Sequence, residues 1–209
     1  MFEGVQPILT AAATVSGMYV ALNGLRAWKR ELTGKRDIEL CQTVIESFYE
    51  AEARIAEMRS PFSYPEVESA ERPKAAAESD AEKRLRDTTW VPMARFLNSR
   101  EFWKEFFARK FRMRALFGEK AAKAYDRVDE ILRKFRAAAQ TRYHSVQGDQ
   151  LVLEHGLNAQ LERVIWAVTP DDALATEMKQ AIRQMEDICV PIVRAKSGTW
   201  WWPAGWRKK

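Results

Sequence analysis

The chain has 209 residues, a formal net charge of +5 and a pI near 9.2, and 30% of its residues are charged. This length allows one domain of ordinary size beside a single further element, and the charge content excludes a protein that crosses a membrane many times. The basic balance suits an anionic partner such as lipid headgroups or nucleic acid, although acids are interspersed along most of the chain.

The first element is an uncharged run from Gly4 to Leu25, which is followed by five Lys or Arg residues between positions 26 and 36. A helix rises about 1.5 Å per residue, so a run of this length just covers a hydrocarbon layer of about 30 Å. The run predicts a single transmembrane helix. Because cations flank only its C-terminal side, we expect the short N-terminus outside and the bulk of the chain cytoplasmic, at the plasma (inner) membrane.

Three other interpretations of this run differ in where they place the helix. A buried soluble helix stays open, because helices that are hydrophobic all round also occur in protein cores. A cleaved signal peptide is disfavoured because the positive charge follows the run instead of preceding it. An interfacial amphipathic helix is disfavoured because no Lys or Arg lies inside the run.

One face of the predicted anchor carries small residues, which are Ala13, Gly17, Ala21 and Gly24. Such spacing lets a second helix backbone approach closely, so we expect the anchor to pack against another membrane subunit or a second copy of itself. Small residues are also common in any membrane helix, and that alternative stays open. Trp28, Lys29 and Arg30 follow where a membrane interface would lie.

The next segments are predicted from apolar periodicity and from helix breakers. A joint at Thr33-Gly34 precedes a half-buried helix over residues 37–59, and residues 60–73, with three prolines, indicate an ordered loop or short linker. Residues 74–89 predict a polar helix at the surface. Pro92 is then expected to break or kink the chain.

The densest aromatic stretch covers residues 93–117, where aromatic and basic residues alternate. Such alternation can bind single-stranded nucleic acid, here through residues 95–114. Helical spacing instead places the aromatic side chains on one broad face, which favours a core stripe. They are Phe96, Phe102, Trp103, Phe106, Phe107, Phe111 and Phe117. Lys110 and Arg114 fall on the same face, and we expect them to snorkel or to reach a carboxylate.

Three further segments complete the predicted bundle. After Gly118, residues 119–146 predict a helix with a continuous apolar seam, and residues 150–168 predict another helix. Thr169-Pro170-Asp171-Asp172 is typical of a helix start, and Pro191 should bend the last turn of the helix that it opens. The sequence therefore predicts an all-α protein in which a single N-terminal transmembrane helix precedes an antiparallel bundle of four to five helices.

This organisation gives three regions, namely an anchor with its basic collar (1–32), a cytoplasmic helical bundle (33–196) and a Trp-rich basic tail (197–209). Indoles favour the headgroup region, and terminal cations are drawn to an anionic leaflet, so the tail predicts a second membrane contact. The residues concerned are Trp200, Trp201, Trp202, Trp206, Arg207, Lys208 and Lys209. Packing of these rings on the bundle or in a partner's groove is an equal alternative.

Motifs that carry chemistry are missing from the sequence. His144 and His155 have no Glu or Asp three residues earlier, and the chain contains no HExxH, paired cysteines or phosphate-binding Gly loop. Cys41 and Cys189 lie on apolar faces and fit buried thiols in a reducing compartment. We therefore expect no enzymatic activity, no cofactor and no metal site; an enzyme with a site in the bundle core would need a polar cavity.

Four short segments carry a resemblance, namely LTGKRDIEL (32–40), MRSPF (58–62), RALFGEK (114–120) and EDICVPIV (186–193). With these, the chain resembles uncharacterised bacterial proteins that have one N-terminal membrane helix and a cytoplasmic helical domain. The resemblance implies the same topology and transfers no catalytic residue. The expected function is a membrane-anchored scaffold, adaptor or accessory subunit, and the alternative is a soluble bundle that binds nucleic acid through residues 95–114.

Overall fold

The structure is a computed structural model that describes residues 6–74, 77–168 and 172–196. Before Gly34 it describes few side chains. The described chain is all-α apart from one small hairpin, which confirms the all-α part of the predicted fold class. Its elements are α1 (Gln6–Met58), α2 (Pro65–Glu68), α3 (Asp80–Asn98), α4 (Arg100–Phe117), α5 (Glu119–His144), β1 (Val146–Gln147), β2 (Gln150–Leu151), α6 (His155–Ile165) and α7 (Ala173–Lys196).

The chain divides into two compact units. The larger is Val44–Pro191, and the smaller combines Met1–Thr43 with Ile192–Lys209. In the smaller unit Leu40 and Cys41 are buried, whereas Tyr19 and Trp28 are 69% and 60% exposed.

The larger unit is built around α5, which packs against α3, α4 and α6. Its predicted apolar seam is buried almost throughout, because residues three and four apart share one helix face. At its centre the rings of Phe48, Phe106 and Tyr125 lie within 4.9 to 5.0 Å of one another, centroid to centroid. Gly118 separates α4 from α5 with φ of +77°, a conformation in which glycine is unstrained.

The predicted joint at Thr33-Gly34 is wrong, and at Pro92, where a break or a kink was predicted, the helix is not broken. α1 continues through Thr33-Gly34, because a single glycine costs a helix only about 1 kcal/mol and does not end it. α3 continues through Pro92, where the ring removes one backbone donor. Val91, Pro92, Met93 and Ala94 are all buried, and this packing offsets the lost hydrogen bond.

The boundaries around the hairpin also differ from the prediction. β1 pairs antiparallel with β2, with Val146 opposite Leu151, and Gly148 takes φ of +58° in the turn. Two-residue strands are too short to show alternation in a sequence, so the sequence places Val146 in the preceding helix and Gln150 and Leu151 in the following one. In the structure, α5 ends at His144 and α6 begins only at His155.

The start of α7 is only partly described, because Thr169, Pro170 and Asp171 lie outside the described residues. The Asp172 carboxylate accepts hydrogen bonds from the backbone N–H groups of Leu174 (3.0 Å) and Ala175 (3.3 Å). It therefore caps the first turn of α7. The helix passes through Pro191 and ends at Lys196.

Candidate protein-interaction surface

The segment between α1 and α3 is held by three arginines. Arg59, directly after α1, is 2% exposed and donates to the carbonyl oxygens of Arg163, Val164 and Trp166 and to Asp172. The carbonyls belong to the end of α6, where backbone acceptors lack helical partners. Arg59 thus joins the end of α1 to the end of α6 and the start of α7.

Arg72 forms a buried network at the other end of the segment. Its Nε donates to Asp87 Oδ1 at 2.8 Å, and its two terminal nitrogens donate to the Glu78 carboxylate at 2.8 and 2.6 Å. The hydrogen bonds with Glu78 and Asp87 raise the pKa of the Arg72 guanidinium. Burial raises the pKa of the Asp87 carboxyl, but hydrogen bonds from Arg72, Lys83 and Ser69 outweigh it and leave that pKa below its ordinary value.

Arg95 of α3 fixes the middle of the segment. Its Nη1 donates to the backbone oxygens of Glu57 (3.2 Å) and Ser60 (2.7 Å), and its Nη2 donates to that of Phe62 (2.6 Å). Nε and Nη2 also bind both carboxylate oxygens of Glu68, at 2.5 and 3.0 Å. All five donors of the guanidinium are therefore in use, which gives one fixed path to residues 60–68. We call these residues the clamped loop.

The clamped loop exposes apolar side chains. Phe62, Tyr64 and Val67 are 86%, 79% and 75% exposed, and no other large apolar side chain that the structure describes is as exposed as any of them. Two grooves of about 390 and 330 Å³ are lined by Tyr64, and the first also by Arg54 and the second by Arg84. A cluster of exposed apolar groups rimmed by polar residues is typical of a protein-binding surface.

The Glu68 carboxyl of the loop is engaged in structure. The hydrogen bond from Arg95 lowers the pKa of the Glu68 carboxyl, so this group stays ionised and paired near neutrality. Across the described ranges no group of His, Cys, Asp and Glu side chains is arranged to hold a metal ion.

The structure describes only some of the residues predicted for membrane contact. Ala21, Gly24 and Trp28 are exposed, and a Cβ added at Gly24 would meet no atom within 4 Å. The side chains of Ala13, Gly17, Lys29 and Arg30 lie outside the described residues, as does the whole tail from Trp200 to Lys209. Among the helices as described, none has a stretch sufficiently long and apolar to cross a bilayer.

The predicted core stripe over residues 93–117 is wrong at Phe111, whereas its other six aromatic side chains are buried or half-buried. Trp103 and Phe106 are buried at 4% and 0% exposure, but Phe111 is 74% exposed. Phe111 lies on the outer side of the last turns of α4, whereas Met113, two residues further on, is fully buried. Lys110 binds Asp126 and Arg114 pairs with Glu119 at 2.9 Å, so the expected carboxylate partners are present.

Sequence reasoning missed the role of Arg59, Arg72 and Arg95. The segment over 60–73 was predicted as an ordered loop, but nothing in the spacing of these arginines shows which carbonyls they reach. The one available signal was composition, because a Pro-rich connection that includes Phe62, Tyr64 and Val67 has more large apolar groups than a solvated linker needs.

No protein-family model, curated protein or solved structure matches this chain.

Proposed function

We propose that this protein is a non-enzymatic helical scaffold or adaptor that is anchored in the inner membrane and docks a partner protein on the clamped loop. The anchor is the uncharged run Gly4–Leu25, and the cationic residues after it keep the helical domain cytoplasmic. The membrane partner is the lipid bilayer together with another membrane subunit or a second copy of the chain, packed on the small face of the anchor.

The observation that carries the docking function is the exposure of Phe62, Tyr64 and Val67 on a loop that Arg95 holds with five hydrogen bonds, three to backbone oxygens and two to a carboxylate. A loop that is already ordered loses little conformational entropy when it binds, which favours affinity. Aromatic side chains at the centre of an interface contribute a large share of binding energy. Exposed apolar groups on a fixed support are therefore best explained by a partner.

The alternative of nucleic-acid binding through residues 95–114 has less support. The guanidinium of Arg95 has no donor left for a phosphate, since its five N–H groups are bound within the chain. Arg109 and Lys110 are paired with Glu105 and Asp126.

The anchor is tested by fractionation of cells that contain the full-length protein. We expect the protein in the membrane fraction after an alkaline carbonate wash, with release only by detergent. A substitution of Val15 and Leu22 by Lys should move it to the supernatant, because charges at the centre of a membrane helix are costly. Recovery of the unaltered protein in the supernatant without detergent would refute the anchor.

Docking is tested with a photo-crosslinking residue at Tyr64 in the full-length protein, followed by mass spectrometry of the adducts. We expect one dominant protein adduct, which is lost in the F62S/V67S variant. The control is V152S/L157S, since these side chains are also exposed, by 53% and 40%, but belong to the hairpin region and α6. Equal adduct yields in the two double variants would refute the clamped loop as a docking surface.

The R95K variant separates preorganisation from contact. Lysine keeps the charge but cannot reproduce the five-donor fork, so we expect faster amide hydrogen exchange across residues 60–68 and a weaker adduct at Tyr64. Unchanged exchange in these residues would show that Arg95 does not fix the loop.

A further inference from the structure

The last turns of α4 form a second exposed apolar surface, remote in sequence from the clamped loop. Phe111 is 74% and Leu116 50% exposed. With their exposed neighbours they form a surface that we call the α4 patch, made of Ala108, Phe111, Arg112, Ala115 and Leu116. Residues 108–118 contain no carboxylate, so this part of α4 is apolar and cationic only.

Positive charge is concentrated around this patch. Residues 108–126 contain six Lys or Arg and two acids, whereas the whole chain has a net charge of only +5. The two acids, Glu119 and Asp126, are paired with Arg114 and Lys110. Arg112, Lys120 and Lys123 form no ion pair with any residue that the structure describes. The surface is therefore complementary to an anionic partner.

We propose that the α4 patch inserts Phe111 and Leu116 into the headgroup region of an anionic bilayer, while Arg112 contacts lipid phosphates. An apolar group flanked by Lys or Arg is the composition of interfacial membrane contacts, in which burial of the apolar side chain and attraction to anionic lipid act together. This contact goes beyond the anchor and does not depend on it, because it uses different residues.

The positive charge of the α4 patch also distinguishes between its possible binding partners. The tail of this chain ends in Arg207, Lys208 and Lys209, so it is repelled by a cationic surface. A second copy that docked the same patch against itself would meet the same repulsion. Single-stranded nucleic acid would satisfy the charge, but it uses aromatic platforms for stacking, and the patch offers one ring beside the aliphatic Leu116. A lipid surface fits both the charge and the aliphatic group.

The test places a spin label on the full-length F111C variant and measures collisions of the label with oxygen and with a water-soluble nickel chelate. Any spin label attached to the buried native thiols of Cys41 and Cys189 is background, and labelling of the unaltered protein measures it. The matched control is a label in V152C, on the hairpin side of the domain. Vesicles contain equal parts phosphatidylglycerol and phosphatidylcholine, or phosphatidylcholine alone.

With anionic vesicles we expect the label at position 111 to gain oxygen collisions and to lose nickel collisions, while the label at position 152 stays in water. This change in the collision rates should be smaller with vesicles of phosphatidylcholine alone and in the F111C/R112E variant. It should also be smaller at about 1 M salt, where the Debye length is about 3 Å. This readout does not require the anchor, since it reports the position of residue 111 whether the protein is integral or added from solution.

Three results would overturn the proposal. A label at position 111 that stays as accessible to nickel as the label at 152 in anionic vesicles would exclude lipid contact. A label already shielded before vesicles are added would show that a protein segment covers the patch. Shielding by single-stranded oligonucleotide, without any shift from anionic vesicles, would assign the patch to nucleic acid.

Discussion

The Arg72 guanidinium and the Asp87 carboxylate meet at 2.8 Å with side chains that are only 1% and 7% exposed. Arg72 is also the partner of Glu78, whose side chain is 9% exposed. Loss of the arginine would leave two enclosed carboxylates without their shared cation. Because breaking a buried ion pair from one side typically costs about 3–5 kcal/mol, we expect R72M to lower the free energy of unfolding by about that amount in urea titrations.

A surface arginine provides the control for this prediction. Arg133 pairs with Asp129 and Glu130 but is 66% exposed, so R133M should cost less than about 0.5 kcal/mol. Similar losses in R72M and R133M would show that the enclosed network contributes no more than a solvated pair.

Acid should destabilise the protein through Glu68 and Asp87. Both carboxyls have pKa values that the folded state lowers, Glu68 chiefly through the hydrogen bond from Arg95. A lowered folded pKa means that the unfolded chain takes up the proton first, so the stability they contribute is present near neutral pH and is lost as pH falls below about 5. We expect E68Q to flatten this part of the curve of unfolding free energy against pH.

The matched variant for the acid prediction is E66Q. Glu66 lies on the same short helix α2, is exposed, and forms no ion pair with any described residue. The E66Q variant should leave the slope of unfolding free energy against pH unchanged. If E66Q and E68Q flatten the dependence of the unfolding free energy on pH equally, the contact between Arg95 and Glu68 is not the cause.

Two phenylalanines of α4 should differ strongly in their effect on stability. Phe106 is fully buried against Phe48 and Tyr125, so F106A should cost about 3–5 kcal/mol through lost burial and a cavity. Phe111 is five residues further on and exposed, so F111A should change stability by less than about 0.5 kcal/mol. Chemical denaturation of both variants measures the difference, and a large cost in F111A would contradict its exposure.

Tyr125 should be replaceable by phenylalanine. Its hydroxyl is buried without a hydrogen-bond partner among the described residues, and burial raises the pKa of the phenol. Since an unsatisfied buried hydroxyl costs about 1–3 kcal/mol, Y125F should be neutral or stabilising. Y143F is the comparison, because the Tyr143 hydroxyl donates to the Pro73 carbonyl, and its loss should cost about 0.5–1.5 kcal/mol. Thermal unfolding of both distinguishes the two cases.

The helical fold was predictable because periodicity depends on local sequence. The apolar seam of α5 and the core positions Phe48 and Phe106 follow from spacing alone. The exposure of Phe111 was not predictable in this way, because Phe111 continues the apolar period of its helix and only the tertiary packing determines which residues of that period reach the core. Pro92 was misjudged for the same reason, since its burial offsets a local penalty.

The candidate surface was less accessible to sequence analysis than the fold. Arg59 and Arg95 reach acceptors on other elements, up to 113 residues away in the chain for Arg59. A single sequence contains no signal for such pairings. Exposure at Phe62 and Tyr64 follows from those pairings, because the bound guanidinium directs the backbone and leaves the rings in solvent.

Arg59 also sets an order of events during synthesis. Its guanidinium emerges from the ribosome 113 residues before Asp172, and its backbone acceptors arrive only slightly earlier. At about 5–20 residues per second this separation of 113 residues corresponds to roughly 6 to 23 seconds of translation. The junction of α1, α6 and α7 is therefore closed only when the C-terminal part of the nascent chain has been made, and a chain truncated before residue 172 would leave this cation without its carboxylate.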